Sequence, residues 1–313
     1  MTTAPQAAAR ESRPALASLA VAGCGAVWGV YWLPLRELQK LGFSGGWSTA
    51  AFYLVSLPPA LLMAYWVRHE LKTHGWNLVW LAVANGVIFI LYSNAYTLTT
   101  VFNTLFLFYL SPVWSVLITR ILFGERVGPA RAFCVAIGLG GLVVMLSRDG
   151  DWPIPRNLGD WMSLGSGMLW AVISIYLRRN SQIGAVANTV GFFLGGILPA
   201  LAFAVLLDGF ALPEGASILA ALPMLVGVVL LAWIPSQLAL FWGVARISPV
   251  RTGILLMTEL VSGVATAAWL SGDPISLQQA IGGAMILAAG LGDVLTARER
   301  TTPAPIPVSA VSD

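Results

Sequence analysis

Thr49-Ala-Ala-Phe-Tyr-Leu-Val-Ser-Leu-Pro-Pro-Ala-Leu61, TAAFYLVSLPPAL, has a near copy at 189–201, TVGFFLGGILPAL. Six of the 13 positions are identical, the proline before Ala-Leu among them. A second pair lies upstream of each copy: GAVWGVYWLPLR at 25–36 and GMLWAVISIYLR at 167–178, which share Gly, Trp, Val, Leu and Arg. Downstream, Phe123-Gly-Glu-Arg-Val127 has its counterpart in Ser271-Gly-Asp-Pro-Ile275. The partners stand 140 to 149 residues apart, so the chain is built twice.

Composition fixes the solvent of both copies. The hydrophobic fraction is 58%, the charged fraction 10% and the mean hydropathy +0.80. A soluble chain carries about 25% charged residues, so most of this surface faces lipid. A helix needs about 20 largely apolar residues to cross the hydrocarbon core. Ten such spans are expected, at 15–35, 45–67, 76–97, 101–122, 129–147, 157–178, 184–207, 216–243, 248–270 and 275–296. Each copy therefore holds five, and an odd number forces the second to enter the membrane from the opposite side. The expected architecture is an all-α integral membrane protein, with ten transmembrane helices forming two inverted five-helix repeats around a central cavity. Inverted repeats of this kind expose a midplane site alternately to the two faces. The expected segments are a cytoplasmic tail at 1–14, repeats at 15–147 and 157–297, and a proline-rich tail at 298–313 without periodicity, read as disordered.

With the N-terminus inside, only Arg36, Lys40, Arg148 and Arg156 of the 17 Lys and Arg residues fall outside, leaving 13 inside. The positive-inside rule then puts both termini in the cytoplasm. The net charge of +3 reflects loops near lipid headgroups, not a nucleic-acid footprint. Cys24 and Cys134 sit in apolar runs and read as small buried hydrophobes. Gly138-Leu-Gly-Gly141 lies inside a span with no strand before it, so it reads as close helix packing, as do Gly25 to Gly29 and Gly191 to Gly195.

Asn85, Phe89, Tyr92 and Tyr96 of the third span share one helix face. The repeat offset carries them onto Trp233, Gln237, Leu240 and Val244 of the eighth. Lipid has no partner for the amides of Asn85 and Gln237. The face either lines the cavity or hydrogen-bonds a neighbouring helix. Trp28, Tyr31 and Trp32 of the first span, Trp170 of the sixth, and Asn103 with Thr104 of the fourth add to the candidates. Trp28 and Trp170 lie deeper than interfacial tryptophans, whereas Trp47, Trp76, Trp80 and Trp161 suit a belt. Pro59 and Pro199 are repeat-related and are expected to bend their helices in a shared mechanical role.

Glu259 stands halfway along the ninth span, where an ionised carboxylate costs roughly 2.5–3.5 kcal/mol. It can attract a substrate ammonium, carry a coupling proton, or pin its helix to a neighbour. The spans hold no paired nucleophile and base, no metal-ligand motif and no nucleotide loop. A non-enzymatic transporter without cofactor or metal is therefore expected. Its partners are a small-molecule substrate and membrane lipid, with proton coupling left open.

Trp-Gly at 28–29 and Trp-Ala at 170–171, with Phe-Gly-Glu at 123–125 and Ser-Gly-Asp at 271–273, resemble the drug/metabolite transporter superfamily, EamA type. The resemblance covers about 15–297. It implies a cavity lined by helices one, three, four, six, eight and nine, with five and ten peripheral. The aromatic load is similar to that of the superfamily's amino-acid exporters. The implied function is export of aromatic and large neutral amino acids across a bacterial inner membrane, the alternative being other small metabolites or drugs. The residues read above from helix faces give the expected substrate site, Trp28, Tyr31, Asn85, Phe89, Tyr92, Tyr96, Asn103, Trp170, Trp233 and Gln237, with Glu259, Pro59 and Pro199 expected in coupling or gating. One departure stands out: the family's proline after the ninth-helix glutamate is Leu260 here, although Pro112 of the fourth helix is kept. With Leu260 there, the sequence carries no proline signal for the family-typical kink near Glu259 and leaves that kink open.

Overall fold

A computed structural model describes residues 4–124, 128–147, 154–179, 183–247, 249–272 and 275–296. The C-terminal tail, and parts of the Gly-Glu and Gly-Asp loops, lie outside the described residues. Ten helical rods follow one another, with no strand among the described residues. They are α1 (Ala4–Gly29, resumed as Trp32–Lys40), α2 (Gly45–Trp66), α3 (Arg68–Leu98), α4 (Val101–Phe108, resumed as Ser111–Phe123) and α5 (Pro129–Leu146). The second set is α6 (Leu158–Arg179), α7 (Ala185–Asp208), α8 (Gly215–Val228, a π-helical Val229–Trp233, then Ile234–Val244), α9 (Pro249–Leu256, resumed as Thr258–Leu270) and α10 (Leu277–Thr296). Among the described residues, six stretches are long and apolar enough to cross a membrane. The helix of α1 begins at Ala4, inside the segment expected to be a tail.

Lipid is as apolar as leucine, so helices in a membrane associate through close packing and hydrogen bonds. Large apolar side chains stay on the outside: Trp269 is 90% exposed and Leu231 82%. Small residues mark the crossings. A Cβ on Gly141 of α5 would stand 2.7 Å from the Gly282 carbonyl oxygen of α10, and one on Gly195 of α7 would stand 2.5 Å from Ala82 of α3. Along α1 and α9 the hydroxyls of Thr258 and Ser262 donate to the Ala22 and Ala26 carbonyls at 2.7 and 3.1 Å, while Trp32 Nε1 donates to Thr266 at 3.1 Å. One turn separates each bond from the next, and Gly25 and Gly29 let the two backbones approach.

The packing repeats when one to five is exchanged with six to ten. α1 packs on α8 as α6 does on α3, and α1 on α9 as α6 does on α4; α2 meets α7, and α5 meets α10. One pair breaks the pattern. α3 lies along α7, whereas its counterpart, α8 against α2, touches only lightly. The motif glycines Gly124 and Gly272 take equivalent left-handed conformations at the ends of α4 and α9, with φ of 63° and 69°. That backbone suits glycine, which is why both loops carry it.

The helices break away from the expected hinges. α2 and α7 run uninterrupted through Pro59 and Pro199. The interruption in α1 precedes Pro34, which has no N–H to give the Val30 carbonyl; Leu33 N–H bonds it instead at 3.1 Å. The π turn of α8 precedes Pro235 in the same way. α4 and α9 break at repeat-equivalent places, Tyr109–Leu110 and Met257. The second break answers the question that Leu260 left open: the kink forms without the proline.

Candidate functional site

Between the repeats lies a narrow cavity of about 40 Å³, partly open to the exterior. Aromatic rings supply most of the wall. Trp28 and Tyr31 come from α1, Phe89 and Tyr92 from α3, Phe108 from α4, Trp170 from α6, Phe192 from α7, and Trp233 and Phe241 from α8. The local breaks aim several of them inward, since Tyr31 sits in the α1 interruption and Trp233 ends the π turn. The rings of Tyr31 and Trp233 lie 3.9 Å apart between centroids, and Phe89 meets Trp233 edge-on at 4.6 Å. Such ring pairs contribute about 0.5–1.5 kcal/mol beyond buried area.

Asn85, Gln237 and Glu259 supply the polar part of the lining besides the Tyr31 and Tyr92 hydroxyls and the indole of Trp28. Asn85 Nδ2 donates to the Leu81 carbonyl one turn back at 2.9 Å. The Gln237 Nε2 and Trp28 Nε1 atoms are buried without a hydrogen-bond partner in the protein. Buried donors are normally paired, and leaving one unmet costs about 1–3 kcal/mol. Both residues line the cavity, as does Tyr31, whose hydroxyl is likewise buried without a partner.

Glu259 lies in the first turn of the resumed α9, 2% exposed. Tyr92 donates to its Oε1 at 2.8 Å, and Tyr109 approaches its Oε2 at 3.0 Å. The Tyr109 hydroxyl also donates to the Leu256 carbonyl at 2.8 Å. That carbonyl would receive the Leu260 N–H in an unbroken helix, but Leu260 N–H bonds Met257 instead at 3.1 Å. A tyrosine from α4 thus supports a break that proline makes elsewhere. Glu259 therefore pins α9 to α3 and α4 while also facing the cavity.

Eight of the ten residues expected to bind substrate line this cavity, namely Trp28, Tyr31, Asn85, Phe89, Tyr92, Trp170, Trp233 and Gln237. Two do not. Tyr96 is 1% exposed and lies behind Tyr92, their hydroxyl oxygens 2.6 Å apart. Asn103 turns away toward Asp160, donating to its Oδ1 at 3.1 Å and accepting from Gln279 at 2.9 Å. Asp160 is a second buried acid, also receiving the Thr99 hydroxyl and the Arg156 N–H. This knot ties the α3–α4 turn to the starts of α6 and α10. Trp47 is also corrected: it is buried, while Trp76, Trp80 and Trp161 remain exposed as a belt requires. Pro59 and Pro199 lie outside the lining. Ile88, Phe108, Phe192, Leu240 and Phe241 were not singled out from the sequence; Phe192 stood in the quoted repeat, and Leu240 is the offset image of Tyr92.

Comparison with known proteins agrees with this architecture. Residues 15–147 match the EamA-like transporter family. A riboflavin transporter of Rhizobium johnstonii is 25% identical over 229 residues, covering 68% of this chain and 74% of its own. A solved protein structure at 20% identity superposes with a TM-score of 0.59 over 91% of this chain and 98% of the other, a likeness of fold alone.

Proposed function

We propose that this chain, an EamA-like transporter by its residues 15–147, carries flat, largely apolar small molecules through the cavity between its repeats. It exports them from the cytoplasm by alternating access, and both termini stay on the cytoplasmic side of a bacterial inner membrane. Aromatic and large neutral amino acids are the first substrate class. One observation carries the reading: nine aromatic side chains enclose a cavity into which only a few polar groups project. Rings recognise a flat solute by stacking and edge contacts. Trp28 Nε1 and Gln237 Nε2 offer donors to a carboxylate or carbonyl, and Glu259 offers an acceptor to an ammonium.

A second reading rests on charge. Among the described residues, no Lys, Arg or His lines the cavity, so a carboxylate there finds dipoles from these groups. A flat heteroaromatic with carbonyl edges needs no cation, and the matched relative bears the name riboflavin transporter. Counterflow in proteoliposomes separates the two. Labelled tryptophan and labelled riboflavin serve in turn as tracers, and unlabelled aromatic amino acids, aliphatic amino acids and riboflavin are the competitors. Saturable counterflow competed best by aromatic amino acids supports the first reading. Tryptophan counterflow that riboflavin alone suppresses moves the assignment to the second. Absence of flux for every solute removes both.

A further inference from the structure

The oxygens around Glu259 form a continuous chain. Tyr96 Oη lies 2.6 Å from Tyr92 Oη, and Tyr92 Oη lies 2.8 Å from Glu259 Oε1. Glu259 Oε2 lies 3.0 Å from Tyr109 Oη, and Tyr109 Oη lies 2.8 Å from the Leu256 carbonyl oxygen. Each of these four contacts needs one hydrogen between its two oxygens. A phenol brings a single O–H and a carbonyl brings none, so the tyrosines supply three. The fourth can come only from the carboxyl of Glu259. With that hydrogen on Oε2 a single order fills every contact. Tyr96 donates to Tyr92, Tyr92 to Oε1, the acid to Tyr109, and Tyr109 to the Leu256 carbonyl. With it on Oε1, the direction of donation between Tyr92 and Glu259 reverses, and Tyr109 must leave one of its two contacts without a hydrogen.

We infer that Glu259 carries an exchangeable proton, and that its departure releases the cap on the α9 break. As a carboxylate, Glu259 only accepts, and the chain is one hydrogen short. A hydrogen bond to an ionised oxygen is stronger than one to a neutral carbonyl. The Tyr109 hydrogen therefore turns to Oε2, and the Leu256 carbonyl loses its donor. That carbonyl is the group the break leaves unpaired, so proton and kink form a single device. The departing proton enters the cavity, which Glu259 lines. Among the described residues, Cys24 of α1, Tyr92 and Tyr96 of α3, and Tyr109 of α4 are the titratable groups facing it. α6 and α8 face the cavity with Trp170 and Gln237, which do not titrate. Resting on the reading of this cavity as the transport path, exchange of that proton against solute supplies the driving force.

The test needs no substrate. The full-length protein in nanodiscs is subjected to hydrogen–deuterium exchange at acidic and alkaline pH, with intrinsic rates corrected. The readout is the peptide spanning 255–261, which holds the Leu260 and Val261 N–H groups bonded to Met257. Wild type is expected to exchange about tenfold faster there at alkaline pH, the size of one lost hydrogen bond. Glu259→Gln keeps a donor toward Tyr109 and an acceptor for Tyr92, so its peptide should stay protected at both pH values. Tyr109→Phe should exchange fast at both. Equal protection of wild type at the two pH values overturns the inference, and so does an unchanged pH dependence in Glu259→Gln. Should Tyr109→Phe fail to fold, the comparison of wild type with Glu259→Gln decides alone. A pH-dependent difference abolished by Glu259→Gln supports the switch even if proteoliposomes carry no solute, which would remove only the transport reading.

Discussion

Gly86 of α3 and Gly196 of α7 cross so closely that a Cβ on Gly86 would stand 2.5 Å from the Gly196 Cα. Backbone rather than a movable side chain blocks that methyl, so one helix must shift to admit it. Gly86→Ala is expected to destabilise by about 1–3 kcal/mol, the usual cost of overpacking. Gly227→Ala is the control, because a Cβ there meets nothing within 4 Å. That substitution should be neutral or stabilise by about 0.5–1 kcal/mol through lost chain freedom. Thermal unfolding of both variants in the same nanodiscs measures the contrast, and equal melting temperatures would contradict the crossing.

Restoring the family's proline gives a sharper test of the α9 break. In a regular helix proline costs about 3 kcal/mol, losing a bond and clashing with the carbonyl four residues back. At Leu260 that carbonyl belongs to Leu256 and is already turned to Tyr109. Leu260→Pro avoids that clash but loses the Leu260 N–H bond to Met257 and part of a buried side chain, so it should cost less than proline in an unbroken turn of the same helix. Ala267→Pro, buried in the uninterrupted part of the same helix, should cost the full amount or prevent folding. Equal losses would mean that the break does not spare the proline.

Gln237 separates recognition from stability. Its Nε2 has no partner in the protein, so Gln237→Leu removes a donor from the cavity without orphaning another group. Binding of a transported solute should weaken by about tenfold, while the melting temperature changes little. Titration of Trp fluorescence with that solute reads the first effect. An unchanged affinity would take Gln237 out of the site.

At the far end of the same helices the order reverses. Asp160 accepts from Thr99, Asn103 and the Arg156 N–H, so Asp160→Ala removes the acceptor of three partly buried hydrogen bonds. The expected loss is about 1–3 kcal/mol or more in stability, with the solute affinity of the folded fraction unchanged. Asn103→Ala should act in the same direction and more weakly. A variant at Asn103 that binds solute poorly while melting normally would return this residue to the binding site.

The ten helices were legible because lipid imposes one length and one solvent on every span, and the quoted repeat showed that the second five echo the first. The aromatic faces of α1, α3 and α8 were legible for a related reason: helical spacing puts Asn85, Phe89 and Tyr92 on one side wherever that side points. What spacing cannot tell is which neighbour a polar face meets. Asn103 looked like Asn85 by that criterion, yet its amide serves Asp160, 57 residues away. The α9 break was hidden more deeply. Its sequence signal, a proline, is absent, and the group that supports it is a hydroxyl 147 positions earlier, on Tyr109. Asp160 escaped notice because it stands near a helix start, where an acid ordinarily needs no explanation.

The two matched seams of the molecule are built from unlike material. Repeat offsets carry Gly195 and Gly196 of α7 onto Val55 and Ser56 of α2, and Gly86 of α3 onto Ile234 of α8. Where α3 meets α7 with bare backbone, the corresponding approach of α8 to α2 must accommodate three side chains. A machine with truly identical halves would idle equally in either posture. In the proposed alternating-access cycle, the unlike residues at these joints would favour one posture over the other.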